Sequence, residues 1–292
     1  MPKTIICGDT HIIEKSIDEL KLIFEKDIFP IKADRFVQLG DWFENHRPTP
    51  KEQVFSCWVV NELKKRYGEV RILSGNGRHD LLNGVSAVEY LAYLGEKVQI
   101  SKGDLILDNG LYGHWMMDKS RLEYGSHKYT VAQLRGKYKY VFLGHQHSYQ
   151  ELAEGMWHLG SVRYIGWNEV VDENKKIAIL NENGVEFIPI KNAIPMVDVY
   201  DMAELDTISP DTKVRMVFTT FEDFKNNINK TPEYKDRFVE FKIKCDFGEI
   251  KTETQEATAE QKKSLEQIIQ SYIDKIEDKD VKILLEEGFK GE

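Results

Sequence analysis

The chain has 292 residues, of which 41% are hydrophobic, and this length is sufficient for one large domain and a smaller one. Its formal net charge of −9 argues against a protein that coats nucleic acid with a uniformly basic surface, although bound divalent metal ions can supply positive charge locally. No segment approaches the roughly 18 consecutive apolar residues of a membrane span.

The first two-thirds of the chain alternate short β-branched runs with amphipathic stretches, a pattern typical of an α/β domain. A helix is predicted between the first two strands, ending at Pro30, and a second helix after Pro48. Residues 177–180 and 185–190 are predicted to form a hairpin with Gly184 at a positive φ. The other strands are predicted at residues 3–7, 35–39, 70–73, 105–107, 140–143 and 157–162.

The composition changes near Pro195, where charge increases and glycines at strand ends become fewer. We therefore expect a first domain over residues 1–195 and a small α+β domain over 196–252, with strands at 214–218 and 237–244. A helical tail is expected over 253–292, because apolar residues recur at helical spacing over 265–276. A second short helix is predicted around 281–285.

The three cysteines, Cys7, Cys57 and Cys245, lie far apart and form no CxxC pair. They predict reduced thiols and neither a disulfide framework nor a thiolate zinc site. The N-terminus enters the first predicted strand without a signal peptide. We therefore expect a cytoplasmic protein that does not enter a membrane.

Polar side chains follow four of the predicted strands at the point where each strand ends. In α/β sheets, side chains just beyond the carboxyl ends of strands converge on one crevice. Carboxylate, amide and imidazole groups without thiolate suit Mn²⁺, Fe²⁺ or Zn²⁺, and a shared aspartate can hold two ions about 4 Å apart. The pattern therefore predicts a two-metal centre suited to phosphate ester hydrolysis. The residues are Asp9, His11, Asp41, Asn76, His145 and His147.

The order of these motifs resembles that of the calcineurin-like metallophosphoesterases, and the resemblance covers residues 1 to about 190. It implies an α/β fold with a two-sheet sandwich flanked by helices, followed here by the small α+β capping domain and the helical tail. The motifs are Asp9-Thr10-His11, Gly40-Asp41, Gly75-Asn76, His79-Asp80, His114 after Gly113, and Gly144-His145-Gln146-His147.

The resemblance also implies roles for individual residues. His79 is expected to be the general acid, with Asp80 orienting its imidazole. Two divalent ions are expected, most plausibly Mn²⁺, bridged by Asp41. One ion would be held by Asp9, His11, Asp41 and His147, and the other by Asp41, Asn76, His114 and His145.

The chain departs from the family pattern in the loop that carries the general acid. The family usually has Gly-Asn-His-Asp without interruption, whereas Gly77 and Arg78 stand between Asn76 and His79 here. We expect Gly77 to let the loop bulge so that Asn76 and His79 both reach the metal ions. Arg78 and His46 are further candidates for contact with substrate.

Three features resemble the SbcD-type DNA nucleases within this superfamily. Residues 39–44 with the prolines at 48 and 50, and residues 158–163 with Glu169, are similar to stretches of those nucleases. The third feature is the layout of a capping domain followed by an amphipathic helix. The resemblance implies exonuclease activity on duplex DNA ends and endonuclease activity on single strands, in DNA repair and recombination. It also implies a homodimer bound to an SbcC-type coiled-coil ATPase.

Two other functions remain open at this point. The first is a small-molecule or cyclic-nucleotide phosphodiesterase of the same fold, which would need neither DNA nor the tail. The second is a non-catalytic scaffold subunit whose altered loop at residues 76–79 has lost turnover. Cleavage assays distinguish the three.

Overall fold

A computed structural model describes residues 1–121, 127–170, 174–246 and 274. The chain folds into two compact units, Met1–Ala193 and a second one that begins at Ile194. The predicted helical tail lies outside the described residues, apart from Asp274. No helix in the described ranges is both long enough and apolar enough to cross a bilayer.

The first unit contains thirteen strands and three α-helices among its described residues. The helices are α1 (Ile17–Ile23), α2 (Pro50–Arg66) and α3 (Val131–Leu134). The strands are β1 (Thr4–Cys7), β2 (Arg35–Gln38), β3 (Glu69–Leu73), β4 (Leu81–Leu82), β5 (Val85–Ser86), β6 (Val98–Ser101), β7 (Leu105–Leu107), β8 (Gly110–Gly113), β9 (Tyr140–Leu143), β10 (Gln150–Ala153), β11 (Met156–His158), β12 (Lys176–Asn181) and β13 (Gly184–Pro189).

Two large sheets face each other in this unit. The first has the order β13-β12-β1-β2-β3-β6, and the second has the order β10-β11-β9-β8-β7. Side chains from the inner faces of both sheets, including Ile6, Val37, Tyr112 and Phe142, form one buried cluster between them. The fold is therefore an α/β sandwich of two sheets, as the sequence predicted.

Alternation along the strands decides which layer each side chain joins. Ile6 points into the space between the sheets, whereas its neighbours Ile5 and Cys7 belong to a second core that also contains residues of α1 and α2 such as Leu20 and Val59. A third cluster covers the outer face of the second sheet and includes residues of α3. Helices thus cover the outer face of each sheet.

Most predicted strands of the first unit are confirmed, and the hairpin of β12 and β13 has Gly184 at φ 120° as expected. The strand predicted at 157–162 is too long, because β11 ends at His158. Gly160, at φ 82°, turns the chain there, and the amide of Ser161 donates to the carbonyl of His147 at 2.9 Å. The strands β4, β5, β6, β8 and β10 were not predicted.

The second unit has its own three-stranded parallel sheet of β14 (Met196–Val199), β15 (Lys213–Phe218) and β16 (Glu240–Cys245), in that order. The helix α4 (Phe221–Asn227) connects β15 to β16. The strand predicted at 237–244 begins later, because Arg237 still closes a turn by donating its amide to the carbonyl of Tyr234. A separate buried core includes Val214, Phe218 and Phe224.

Candidate metal centre

The carboxyl ends of strands from both sheets supply the candidate ligands. Asp9, Asp41 and Asn76 follow the parallel neighbours β1, β2 and β3, while His114 and His145 follow the parallel pair β8 and β9. Parallel strands end at the same edge of a sheet, so these side chains meet at one place. Asp9 and Asp41 are almost completely buried there, at 0% and 1% exposure.

Three of the candidate ligands have a left-handed backbone conformation, which residues other than glycine rarely adopt. The φ angles are 46° for His11, 48° for Asp41 and 77° for His145. Hydrogen bonds hold these residues in place. The carbonyl of Asp41 accepts from the amide of His11 at 2.9 Å, and the amide of His145 donates to the carboxylate of Asp9 at 3.0 Å. The backbone is therefore fixed where the ligands leave it.

Asp41 lies at the centre of the cluster. Its Oδ2 is 3.1 Å from Nε2 of His114 and 3.7 Å from Nε2 of His11. Nδ2 of Asn76 donates to the same oxygen at 3.2 Å, and Nε2 of His79 lies 3.9 Å from it. A carboxylate surrounded in this way has the position required of a ligand shared by two metal ions.

The side chains fall into three groups whose potential ligand atoms lie within 4.8 Å of one another. One group is Asp9, His11 and His147. A second is Asp41, His114 and His145, and the third joins His11 and Asp41 to His79. The first two groups each contain three of the four residues of one ligand set that the family resemblance implied; Asp41 is missing from the first and Asn76 from the second. Asn76 adjoins the second group, with its amide nitrogen turned towards Asp41 and its Oδ1 accepting from the amide of Arg78.

Four of the histidines have an oxygen atom beside Nδ1, which turns their Nε2 atoms towards the cluster; they are His11, His79, His114 and His147. Nδ1 of His114 lies 2.8 Å from the carbonyl oxygen of Leu39. A carbonyl can only accept, so this nitrogen carries a proton, and in the neutral imidazole Nε2 is the atom that keeps a lone pair. Nε2 of His114 and both ring nitrogens of His11 are buried without a hydrogen bond of good geometry among the described residues. Unpartnered imidazole nitrogens beside buried carboxylates fit a divalent metal ion.

The electrostatics of the cluster also favour bound positive charge. Burial raises the pKa of Asp9 to about 7, an effect that His114 opposes and Asp41 reinforces. Burial alone would lower the pKa of His114, but the carboxylates of Asp41 and Asp9 raise it to about 10. Burial lowers the pKa values of His11 and His145 to about 4, which keeps both imidazoles neutral and able to act as ligands.

The extended loop does not displace His79 from this cluster. The amides of His79, Asp80 and Leu81 all donate to the carbonyl of Asn76, so the two additional residues are accommodated in a tight turn. Gly77 contributes no special conformation, because its φ is not positive, and the expectation that its flexibility allows the bulge is wrong. Asn76 and His79 both approach Asp41 nonetheless.

The expectation that Asp80 orients His79 is also wrong. The carboxylate of Asp80 accepts hydrogen bonds from the amides of Trp42 and Phe43, each at 3.0 Å, and from the amide of Gly75 at 2.8 Å. These three donors occupy the carboxylate, which joins the loop after β2 to the loop after β3. Nδ1 of His79 lies instead 2.5 Å from the carbonyl oxygen of Glu44.

Two glycines permit the close approach of the loops. A Cβ atom at Gly75 would overlap the backbone and carboxylate of Asp41. A Cβ atom at Gly144 would meet the carboxylate of Asp9 and the carbonyl oxygen of Leu39. Any larger residue at either position would push the candidate ligands apart.

Arg78 and His46, the candidates for substrate contact, lie beside the cluster. Arg78 is exposed, and its guanidinium forms no ion pair in the described part of the chain. Nδ1 of His46 lies 3.3 Å from the carbonyl oxygen of Arg78. The structure therefore places Arg78 on the turn that carries His79, and His46 in the segment after β2, where it contacts that turn.

Two glutamates beside the cluster have contacts that the motifs did not reveal. Oε2 of Glu44 lies 2.9 Å from Nδ1 of His11. Oε1 of the fully buried Glu169 lies 3.4 Å from Nδ1 of His147, and the same carboxylate accepts from Ser161 and pairs with Lys175. In the sequence, both glutamates stand out only because they lie in stretches that resemble the family. Their contacts with the histidines join segments that are far apart in the chain, so the sequence does not reveal them.

A buried histidine outside the candidate ligand set supports the same loop. Nδ1 of His158 lies 3.0 Å from the carbonyl oxygen of Gly144, and its Nε2 lies 2.7 Å from the hydroxyl of Ser120. Burial lowers the pKa of His158 to about 4, so its imidazole is neutral. Its contacts hold the backbone immediately before His145.

A scan against protein-family models and a search of curated proteins both find no match. Among solved structures, the chain is similar to the Pseudomonas putida nuclease MPE, with 14% identity over 60% of this chain and 84% of that chain and a TM-score of 0.33. A second crystal structure matches with 10% identity over 65% of this chain and 100% of that chain, with a TM-score of 0.38.

Proposed function

We propose that this protein is a metal-dependent phosphodiesterase that cleaves DNA. The observation that carries the proposal is a cluster at the strand ends of two sheets. In this cluster Asp41 is surrounded by a second aspartate, one asparagine and five histidines. Neither a disulfide nor a thiolate group takes part, and oxygen with imidazole nitrogen is the donor set that Mn²⁺, Fe²⁺ and Zn²⁺ share.

The residues of the cluster would have two different roles in the reaction, metal binding and proton transfer. Divalent ions held by the candidate ligands would lower the pKa of a water molecule and stabilise the charge on phosphate oxygens. His79 faces the cluster through Nε2, because the carbonyl of Glu44 occupies its Nδ1. An imidazole held in this way can protonate the leaving oxygen of a diester. The left-handed backbone at Asp41 and His145 keeps the candidate ligands fixed during this step.

DNA is the proposed substrate because of the features shared with SbcD-type nucleases at residues 39–50 and 158–169. We extend the proposal to a nuclease subunit that acts on duplex ends and on single strands in DNA repair. In this role Mn²⁺ would be the metal, the capping domain at 196–252 would contact DNA, and the tail at 253–292 would bind an SbcC-type ATPase. The subunit would act in the cytoplasm as a homodimer.

The test is a cleavage assay on the purified full chain with Mn²⁺. Its substrates are labelled duplex DNA, labelled single-stranded DNA and bis-nitrophenyl phosphate. Asp41→Asn removes the negative charge of the shared ligand, and His79→Gln removes the proton donor. We expect both to lower DNA cleavage at least about 100-fold, the usual contribution of a general acid. Exposed Glu151→Gln, on β10, is the control and should retain full activity.

Each outcome of this assay distinguishes the proposal from its alternatives. DNA cleavage that both variants lose supports the nuclease. Turnover of the small diester alone, also after addition of a coiled-coil ATPase, would favour a small-molecule phosphodiesterase. Absence of turnover on every substrate would favour a scaffold subunit, although the position of His79 beside Asp41 argues against that outcome.

A further inference from the structure

The two candidate metal positions differ in the groups that lie beside Nδ1 of their histidines. Position A consists of Asp9, His11 and His147, and position B consists of Asp41, His114 and His145. Each position combines one aspartate with two histidines. Asn76 adjoins position B only, and the groups that contact the histidines are a second difference between the two positions.

In position A, a carboxylate stands behind each imidazole. Nδ1 of His11 lies 2.9 Å from Oε2 of Glu44, and Nδ1 of His147 lies 3.4 Å from Oε1 of Glu169. Glu169 is rigidly held, since the amide of Gly166 donates to Oε1 at 2.7 Å. Lys175 pairs with the other oxygen, Oε2, whereas Oε1 also accepts from the amide of Ile165 at 3.1 Å and lies beside the imidazole of His147.

In position B, neutral groups take the same places. Nδ1 of His114 donates to the carbonyl oxygen of Leu39 at 2.8 Å. Nδ1 of His145 lies 3.4 Å from the amide nitrogen of Asn76. No carboxylate among the described residues is within ion-pairing distance of either Nδ1, apart from Asp9, a candidate ligand 3.7 Å from Nδ1 of His114.

This difference affects how strongly each imidazole donates to a metal ion. A carboxylate that accepts from Nδ1 fixes the ring and makes Nε2 a better electron donor, and hydrogen bonds to charged groups are roughly twice as strong as neutral ones. The negative charge of the glutamate also lies near the ion. A neutral carbonyl fixes the ring but adds less to its basicity.

We propose that Glu44 and Glu169 are positioning residues that make position A bind its divalent ion more tightly than position B. The inference rests on the proposed function only in requiring that the protein bind two metal ions, and it makes no use of the substrate.

The experiment is a calorimetric titration of the metal-free full chain with Mn²⁺, repeated by electron paramagnetic resonance of free Mn²⁺. The wild-type chain should show one tight and one weak class of site. Glu44→Gln and Glu169→Gln keep the side-chain volume and remove the charge. Each should weaken the tight class by about 10- to 100-fold and leave the weak class unchanged. Glu14→Gln, an exposed carboxylate three residues after His11, is the matched control and should change neither class.

Two features keep the result interpretable. Glu169 is buried and its replacement could unfold the chain, so Glu44→Gln, at a side chain 28% exposed, serves as the second variant. Circular dichroism of the metal-free variants checks folding. A second readout is the Mn²⁺ concentration that gives half-maximal cleavage, which should rise for Glu44→Gln and stay unchanged for Glu14→Gln.

Three results would overturn the inference: equal affinity of both classes in the wild type, loss of both classes together in the variants, or no change in either. Failure of the wild-type chain to bind any metal ion would overturn the proposed function as well. Binding of two ions with equal affinity would leave the proposed function intact.

Discussion

At the scale of single residues, the candidate centre depends on backbone conformations that are unfavourable for the residues adopting them. A left-handed conformation costs a non-glycine residue about 1–2 kcal/mol. His11, Asp41 and His145 all adopt it, and hydrogen bonds from neighbouring loops hold them there. Such conformations often occur at functional sites, where the surrounding structure imposes them. In this protein they turn the ligands of two sheets towards one point.

Asp80 supplies one of these constraints, and its replacement tests the role that the structure gives it. Asp80→Ala leaves three buried amide donors, on Trp42, Phe43 and Gly75, without acceptors. Each unpaired buried donor costs about 1–3 kcal/mol, so we expect the free energy of unfolding to fall by roughly 3 kcal/mol or more. Urea denaturation of the metal-free chain measures this. Asp201→Ala, which removes one exposed cap hydrogen bond to Ala203, is the control.

The same measurement separates two roles for Asp80. A carboxylate that only oriented the imidazole of His79 could be removed with little effect on metal-free stability. A change within about 0.5 kcal/mol, the usual effect of a surface substitution, would contradict the role in joining the two loops.

The candidate ligands could be predicted from sequence because their residue types and positions after strands are local features. Asp9, Asp41 and Asn76 each follow a buried apolar run, and parallel strands bring such positions together. The partners of Asp80 and Glu169 could not be predicted. The hydrogen bonds of Asp80 to Trp42 and Phe43, and the contact of Glu169 with His147, join segments that are neighbours only in the folded chain. No periodicity records such contacts.

At the scale of elements, strand prediction succeeded where runs are apolar. It failed at β8, where glycine replaces side chains, and at β6 and β10, where polar residues interrupt the run. β9 is a run of four apolar or aromatic residues and was predicted. β8 begins and ends with glycine, so it offers little pattern, although all four of its residues are buried. Burial of β8 against β9 decides its structure, and this position brings His114 to Asp41.

The start of α2 is a further element with a testable contribution. Thr49 caps the helix, Pro50 occupies its first turn, and Glu52 completes a capping box by accepting from the amide of Thr49 at 2.8 Å. The second oxygen of Glu52 accepts from the amide of Glu14 at 3.0 Å. This residue therefore joins the helix to the segment that follows His11.

We expect Glu52→Ala to lower the free energy of unfolding by about 2 kcal/mol, because it removes two hydrogen bonds of a side chain that is 5% exposed. Thr49→Ala should cost about 1 kcal/mol, the usual contribution of a helix cap. Lys51→Ala, on the exposed side of the same turn, is the control. An effect of Glu52→Ala no larger than that of Lys51→Ala would show that the contact with Glu14 contributes nothing.

At the scale of the whole molecule, the two units have separate hydrophobic cores and separate sheets. All candidate ligands belong to the unit Met1–Ala193. A ligand that binds only the folded form of one unit stabilises that unit in proportion to the logarithm of its concentration. Metal binding should therefore act on one unfolding transition and not on the other.

This expectation can be measured by differential scanning calorimetry of the full chain with EDTA and with Mn²⁺. At a Mn²⁺ concentration about 100 times the dissociation constant, one site contributes about 2.7 kcal/mol. For a unit of this size the gain should raise the Tm of its transition by roughly 5–10 °C. The transition of the unit that begins at Ile194 should stay where it was. Asp41→Asn, which weakens both positions, should remove most of the shift. An equal rise in both transitions, or a rise that persists in Asp41→Asn, would mean that the stabilising ion binds elsewhere.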